Sequence, residues 1–364
     1  MRKAVKMFRR LIANFLLVIV SIYITFFLID FFIYIFILPK SESHPRGMYK
    51  ADKTRNHALT PGFVGIYNKP KPFLVEINDN GYRDFEWQFD DKFKVLVAGD
   101  SYTFGIGLPM EEGFVNKANI KMNNGIHFYN IGVPGYGVPH ILETIKKECR
   151  GIKPNHIFYM YYFNDTRWDN MMIDLMDVYD GYLVRKYINN GKTILNDEDI
   201  RYKVEKELKG INKWSLMKTI ILQNIRYYFA QKGIHPRLIF ESLDKFKKRL
   251  EQTANPAYSI ENTEKASVLI MEMANEAERC GSGFTMFILP GYEEAYYGIK
   301  ETATERLLRK LEGKGILIVD LREYMELGVK LTLFGDGHYN TFATNWVADN
   351  MIRHLQSIYP EIVK

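Results

Sequence analysis

Lys94-Val95-Leu96-Val97-Ala98 runs directly into Gly99-Asp100-Ser101-Tyr102-Thr103-Phe104-Gly105. The first five residues are nearly all apolar, the pattern of a short strand buried on both faces of a sheet. A serine at the C-terminal end of such a strand, bracketed by glycines, stands where an open α/β sheet binds its ligands. Its hydroxyl is protonated at neutral pH, so attack on an electrophile needs a neighbouring base. A glycine-rich turn could instead cradle phosphate. However, G-x-G-x-x-G is absent after this strand, there is no Walker pattern, and Asp100 would repel a pyrophosphate. Nucleotide binding is set aside.

Outward from this stretch, strand-like and helix-like segments alternate. Helices are predicted over residues 112–122, 138–149, 261–280, 302–311 and 341–355, and strands over 127–131, 156–161, 284–289 and 315–319. This alternation predicts an α/β fold, a doubly wound parallel sheet flanked by helices in three layers. An insertion over about residues 166–260 breaks the rhythm and reads as a cap around the site, where long loops carry function. Within it, residues 183–188 and 192–195 flank Asn189-Asn190-Gly191 as a hairpin, and 214–229 and 240–250 read as amphipathic helices. The Lys245, Lys247, Lys248, Arg249 run is expected to be a solvated helix face. Before the core, residues 39–92 are turn-rich, with Pro45, Pro61, Pro70 and Pro72, and read as a linker. Near its end, residues 73–77 and 82–85 flank Asn78-Asp79-Asn80-Gly81, which predicts a small β-hairpin. The catalytic domain is then residues 93–364.

A base for Ser101 is sought among eight histidines. His338 lies in Gly335-Asp336-Gly337-His338-Tyr339-Asn340, after the last predicted strand and before the last helix. In a doubly wound sheet that loop returns to the edge where Ser101 stands. Asp336, two residues away, is placed to accept the imidazole N–H and steady the imidazolium. His127 and His156 begin strands and His140 begins a helix, so structural roles are expected for them. His44, His57, His235 and His354 lack any acid-and-glycine setting.

With these residues in order, the chain resembles the SGNH (GDSL-type) hydrolase superfamily, in particular its membrane-anchored bacterial members. The family has four sequence blocks. Gly99-Asp100-Ser101 matches the first, which makes Ser101 the nucleophile by resemblance. Asn130-Ile131-Gly132-Val133-Pro134-Gly135-Tyr136-Gly137 resembles the second, whose glycine N–H enters the oxyanion hole, a role the resemblance gives to Gly132. Tyr162-Phe163-Asn164-Asp165 resembles the third, Gly-x-Asn-Asp, with Tyr162 in the glycine's place. Asn164 would supply a further oxyanion donor, and Asp165 would support its loop. Asp336-Gly337-His338 stands for the fourth block, one residue shorter than the family's usual Asp-x-x-His. That shorter form is familiar in branches that include polysaccharide O-acetyltransferases. The resemblance covers residues 79–355 apart from the insertion. It implies a triad of Ser101, Asp336 and His338, an oxyanion hole of Ser101, Gly132 and Asn164, and no cofactor. Tyr162, Arg167 and Trp168 are candidates to line the substrate pocket, with core or lid packing equally open. No His/Cys/Asp/Glu cluster has metal-ligand spacing, so no metal is expected.

The rest of the 364-residue chain bounds partner and compartment. It has 49 Lys+Arg and 43 Asp+Glu, 47% hydrophobic residues and 14% aromatics, which excludes wholesale disorder. Arg2, Lys3, Lys6, Arg9 and Arg10 take five of the positive charges, leaving 44 basic against 43 acidic residues. That balance supplies no basic face for nucleic acid. Behind the cations, residues 11–38 are apolar except for Asn14, Ser21, Thr25, Asp30 and two tyrosines. As a helix the stretch would reach about 42 Å against about 30 Å of hydrocarbon, and it exceeds the roughly 7–15 apolar residues of a signal peptide. An uncleaved single-pass anchor over residues 1–38 is expected, with its N-terminus in the cytoplasm and the catalytic domain outside. Asp30 then sits at the outer interface, or inside the membrane against a partner protein. Cys149 and Cys280 are the only cysteines; neither has the flanking motif of a nucleophile, and buried free thiols are expected over a disulfide.

The leading functional expectation is an extracytoplasmic esterase that removes O-acyl, especially acetyl, groups from a carbohydrate or envelope polymer. The alternative is an O-acyltransferase that passes an acyl group through Ser101 to a glycan hydroxyl, fed by a multipass membrane acyltransferase. A third is an inactive glycan-binding module.

Overall fold

The computed structural model describes residues 2–32, 45–67, 73–88, 93–122, 125–167, 169–188, 193–202, 260–291, 302–322 and 337–363. Asp336, Trp168, the turn 189–191, the insertion's two predicted helices and its lysine run lie outside the described residues.

The core is a five-stranded parallel sheet. Its strands are β5 (Phe93–Gly99), β6 (Ile126–Asn130), β7 (His156–Tyr161), β12 (Gly283–Ile288) and β13 (Leu317–Asp320), laid side by side in the order β13-β12-β7-β5-β6. In chain order the helices are α1 (Arg2–Phe32), α2 (Ser101–Phe104), α3 (Phe114–Lys121), α4 (Val138–Ile152), α5 (Ile260–Arg279), α6 (Thr302–Leu311) and α7 (Thr341–Ile358). The strand period of two divides each strand between two cores. Leu96 and Ala98 of β5 and Ile157, Tyr159 and Tyr161 of β7 face one side, with Ile141 and Ile145 of α4 and Ile270 of α5. Val95, Val97, Phe158 and Met160 face the other, against Phe114 and Ala118 of α3 and Val347 and Met351 of α7. Both faces of β5 and β7 are covered, which is why their sequences read as unbroken apolar runs.

Four short hairpins surround this core among the described residues. β1 (Tyr49–Asp52) pairs with β2 (Asn56–Leu59), and β3 (Val64–Tyr67) with β4 (Phe73–Glu76). In the insertion, β8 (Met176–Tyr179) pairs with β9 (Tyr182–Arg185), and β10 (Tyr187–Ile188) with β11 (Thr193–Ile194). The last pair joins the two segments expected to flank Asn189-Asn190-Gly191. The hairpin expected at Asn78–Gly81 differs. The chain does turn there, with Asn78 N–H donating to the Tyr82 carbonyl at 2.8 Å, yet β4 takes β3 as its partner. Tyr82 and Arg83 are drawn into the body instead, where Tyr82 Oη donates to Glu148 of α4 at 2.7 Å. A buried charge-assisted bond outweighs a solvent-exposed ladder.

Cys149 and Cys280 form a disulfide, where buried free thiols are expected from sequence. They stand 131 residues apart, and nothing local announces the pairing. The C-terminal ends of α4 and α5, packed side by side on one face, bring their Cα atoms to 6.2 Å.

Helix α1 carries a 20-residue stretch, Arg10–Ile29, with mean hydropathy 2.6 and no part buried in the body. Phe15 and Leu17 project outward from it. By length and composition it is a membrane span or a signal sequence.

Candidate active site

The site grows from the end of β5. Gly99 lets the strand press closely on its surroundings: a Cβ there would collide with Thr103 Oγ1 and come within 3.2 Å of the Met160 carbonyl. Asp100 caps the single turn of α2, its Oδ1 accepting the Tyr102 N–H at 2.9 Å. Ser101 is therefore the first residue of a turn whose other members, Tyr102, Thr103 and Phe104, are all buried. Its hydroxyl is the group left at the surface of the sheet edge.

The loop before α7 supplies the second half. His338 Nε2 lies 2.9 Å from Ser101 Oγ across 237 positions of sequence. Contacts among the described residues help hold that loop. Tyr102 Oη donates to the Gly337 carbonyl at 3.0 Å, Tyr339 Oη to the Pro290 carbonyl at 2.8 Å, and Asn340 Oδ1 caps α7 by accepting the Ala343 N–H at 3.0 Å. The Tyr102 ring packs 4.8 Å from the His338 ring and 3.9 Å from the Tyr162 ring, nearly parallel to the latter.

Asn164 arrives on a 3-10 turn after β7, Phe163–Thr166. Its amide is near enough to the Asp100 carboxyl to favour that group's charged form, so it faces the serine's turn. Its own backbone carbonyl accepts from Asn170 Nδ2 at 2.9 Å, which ties this loop to the start of the cap. Asp165 is wholly buried below, with Oδ2 accepting from Tyr159 Oη at 2.8 Å and from the Tyr162 N–H at 3.3 Å. Burial, and then the neighbouring Asp100 carboxyl, pushes Asp165 well above the usual carboxylate range. Burial raises Asp100 too, opposed first by the Tyr102 N–H and then by the His338 imidazole.

The structure brings Ser101, His338 and Asn164 to one edge. Gly132 is more complicated. It presses against the back of α2, where a Cβ would lie 2.6 Å from the Phe104 nitrogen, and its N–H donates to Asn130 Oδ1 at 2.9 Å. Its amide already has a partner in this state. Of the pocket candidates, Tyr162 is buried against Tyr102, while Arg167 is part-exposed and forks onto Asp169 at 2.5 and 2.9 Å. The remaining described histidines are elsewhere: His140 and His57 are buried together with Tyr136, His156 and His354 share the Thr285 hydroxyl, and the His127 ring packs 4.4 Å from that of Tyr129.

Sequence reasoning missed the supports of α2. Asn130 Nδ2 donates to the Thr103 carbonyl at 3.0 Å, the Asn130 N–H donates to Asp84 at 2.9 Å, and Arg83 donates to the Phe104 and Gly105 carbonyls. Charged residues in a turn-rich stretch read as solvated, and no local signal marks these as buried.

No protein-family model matches the sequence, and no curated protein does. Among solved structures the chain is similar to a psychrotrophic esterase from Pseudoalteromonas sp., at 11% identity over 74% of this chain and 99% of that one, with a TM-score of 0.38. It is similar to a lipolytic protein of the G-D-S-L family from Desulfitobacterium hafniense, at 12% identity over 72% and 99%, with a TM-score of 0.35. An acetyl xylan esterase aligns at 10% identity over 72% and 100%, with a TM-score of 0.39. The chain's own five-stranded parallel sheet flanked by helices, with the glycine-aspartate-serine block after β5 and His338 in the loop before α7, is the α/β architecture that the sequence predicts.

Proposed function

We propose that the protein is a membrane-anchored serine esterase of SGNH type that removes acyl groups, acetyl above all, from a carbohydrate or envelope polymer outside the cytoplasm. The 2.9 Å contact between His338 Nε2 and Ser101 Oγ carries the proposal. It is the reach that a general base needs for the proton it removes.

His338 takes the Ser101 proton as Oγ attacks the ester carbonyl, and Asp336 steadies the imidazolium. The N–H of Ser101 and the amide of Asn164 meet the developing oxyanion. Gly132 can join them by releasing Asn130. The C–O bond to the alcohol then breaks, and His338 returns the proton to that oxygen. Water repeats the sequence on the acyl-enzyme: His338 takes its proton, its oxygen bonds to the acyl carbon, and Ser101 leaves with the proton restored. No step calls on a cofactor. Arg167, at the end of the Asn164 turn, and Tyr162, buried beside Tyr102, are the described candidates to meet the substrate.

The five cations ahead of α1's apolar stretch support an N-terminus held in the cytoplasm and a catalytic domain on the outer side. There the chain meets envelope polymers. The Asp336-Gly337-His338 spacing favours a second reading, transfer of the acyl group to a glycan hydroxyl, with a multipass membrane acyltransferase as donor.

Full-length protein in detergent should hydrolyse a small aryl acetate, and Ser101→Ala should abolish this. Weak hydrolysis stimulated by added oligosaccharide would favour transfer. If no acyl group or phosphonate ever attaches to Ser101, the chain is a binding module and both enzymatic readings fail.

A further inference from the structure

Arg83 is 1% exposed, and no carboxylate lies within hydrogen-bonding reach of its guanidinium among the described residues. Its Nη1 donates to the Phe104 carbonyl at 3.0 Å and to the Gly105 carbonyl at 2.9 Å, and its Nη2 donates to the Leu108 carbonyl at 2.6 Å and the Leu74 carbonyl at 3.4 Å. The rings of Phe73 and Phe104 sit 5.2 Å from its central carbon. Burial lowers its pKa to about 10, still charged at neutral pH. Burying a cation without a hydrogen-bonded acid is costly, and fixed dipoles aimed at it offset the cost, helped at longer range by the charges of Glu111 and Glu76. Those dipoles are the carbonyls at the C-terminal end of α2 and in the loop beyond. The next residue grips the same turn through an intermediary: Asp84 accepts the Asn130 N–H at 2.9 Å, and Asn130 Nδ2 donates to the Thr103 carbonyl at 3.0 Å.

We propose that Arg83 is a positioning residue for Ser101: its planar fork, with Asp84 and Asn130 as a second arm, fixes the one-turn helix on which the nucleophile stands. This rests on Ser101 being the nucleophile. Four residues make too short a helix to hold its own geometry, because nucleation fixes several dihedrals for one hydrogen bond. The turn is set from outside, by a segment that precedes the core in sequence. By this proposal residues 73–88 act as part of the active-site scaffold. Misplacing a reacting group by about 1 Å costs on the order of 10²-fold in rate. An ammonium gathers oxygens at one point and cannot reproduce a fork.

The test is steady-state hydrolysis of an aryl acetate by the full-length protein, together with the rate at which a reactive phosphonate ester labels Ser101. Arg83→Lys should lower kcat about tenfold and Arg83→Met about 10²-fold, both with KM unchanged and with labelling slowed in parallel. Thr285→Ala, toward the opposite edge of the sheet, serves as the stability control: it should lower Tm yet leave kcat within twofold while folded. Should Arg83→Met fail to fold, Arg83→Lys alone carries the test. An Arg83→Lys protein with wild-type kcat and labelling rate would overturn the proposal, as would a loss of kcat matched by Thr285→Ala at equal loss of Tm. Failure of wild-type protein to label at Ser101 is a different result, and it strikes the nucleophile assignment itself.

Discussion

Tyr102 Oη donates to the carbonyl of Gly337 at 3.0 Å, so the residue after the serine holds the residue before the histidine. The two halves of the site are tied by their neighbours as well as by their own 2.9 Å contact. Removing this bond in Tyr102→Phe should cost about 1 kcal/mol of stability and lower kcat several-fold, because the His338 loop loses one of its anchors. Thermal melts and steady-state kinetics check both effects. Unchanged kcat would show that the loop's other contacts suffice.

Asn164→Ala should cut turnover by roughly 10²–10³, the usual cost of losing one oxyanion donor, with little change in Tm. The Asn164 side chain favours the charged form of Asp100, against the burial that raises it. Pre-steady-state acylation rates are the measurement. Full activity in this variant would remove Asn164 from the oxyanion hole.

Gly132→Ala pushes a methyl group to within 2.6 Å of the Phe104 nitrogen and the Thr103 Cβ. Backbone cannot yield as a flexible side chain does, so overpacking of about 1–3 kcal/mol is expected, with α2 displaced. Activity and stability should fall together, which a melt and a Ser101 labelling assay on the same sample would register.

Burial lowers His156 to about 3 and His140 to about 4, so both are neutral in the folded state. The unfolded chain binds a proton at each near pH 6.5, so each takes stability away as pH falls from there toward its folded value. Between pH 7.5 and pH 5 the loss is about 2 kcal/mol per histidine. Asp165 has the opposite sign: its raised pKa stabilises the fold at low pH and that contribution is lost as pH rises. Comparing wild type with His156→Gln isolates the histidine. The variant should lose about 2 kcal/mol less over that interval by urea unfolding; parallel curves would show that His156 does not titrate this way.

The Cys149–Cys280 bond closes a long loop and fits an oxidising compartment. Protein denatured without reductant should take up no maleimide, and reduction should expose two reactive thiols with a drop in Tm. Quantitative labelling before reduction would place both cysteines as free thiols.

Local sequence was enough for the parallel sheet and most of its helices. Buried strands such as β5 and β7 leave an unmistakable apolar run, and residues in a run meet the same environment in any α/β sheet. It also marked Ser101 and His338, because glycines and an aspartate around a reactive side chain are local features. Long-range packing settled the rest. Only the docking of α4 against α5 could join Cys149 to Cys280, and only the fold could give the Gly132 amide to Asn130. Arg83 and Asp84 read only as part of a small β-hairpin in a turn-rich stretch, since burial of a charge depends on dipoles that the local sequence does not display. For Arg83 those dipoles are the distant carbonyls of Phe104, Gly105 and Leu108, and for Asp84 the distant Asn130 N–H joins the nearby Phe85 N–H and Trp87 indole N–H.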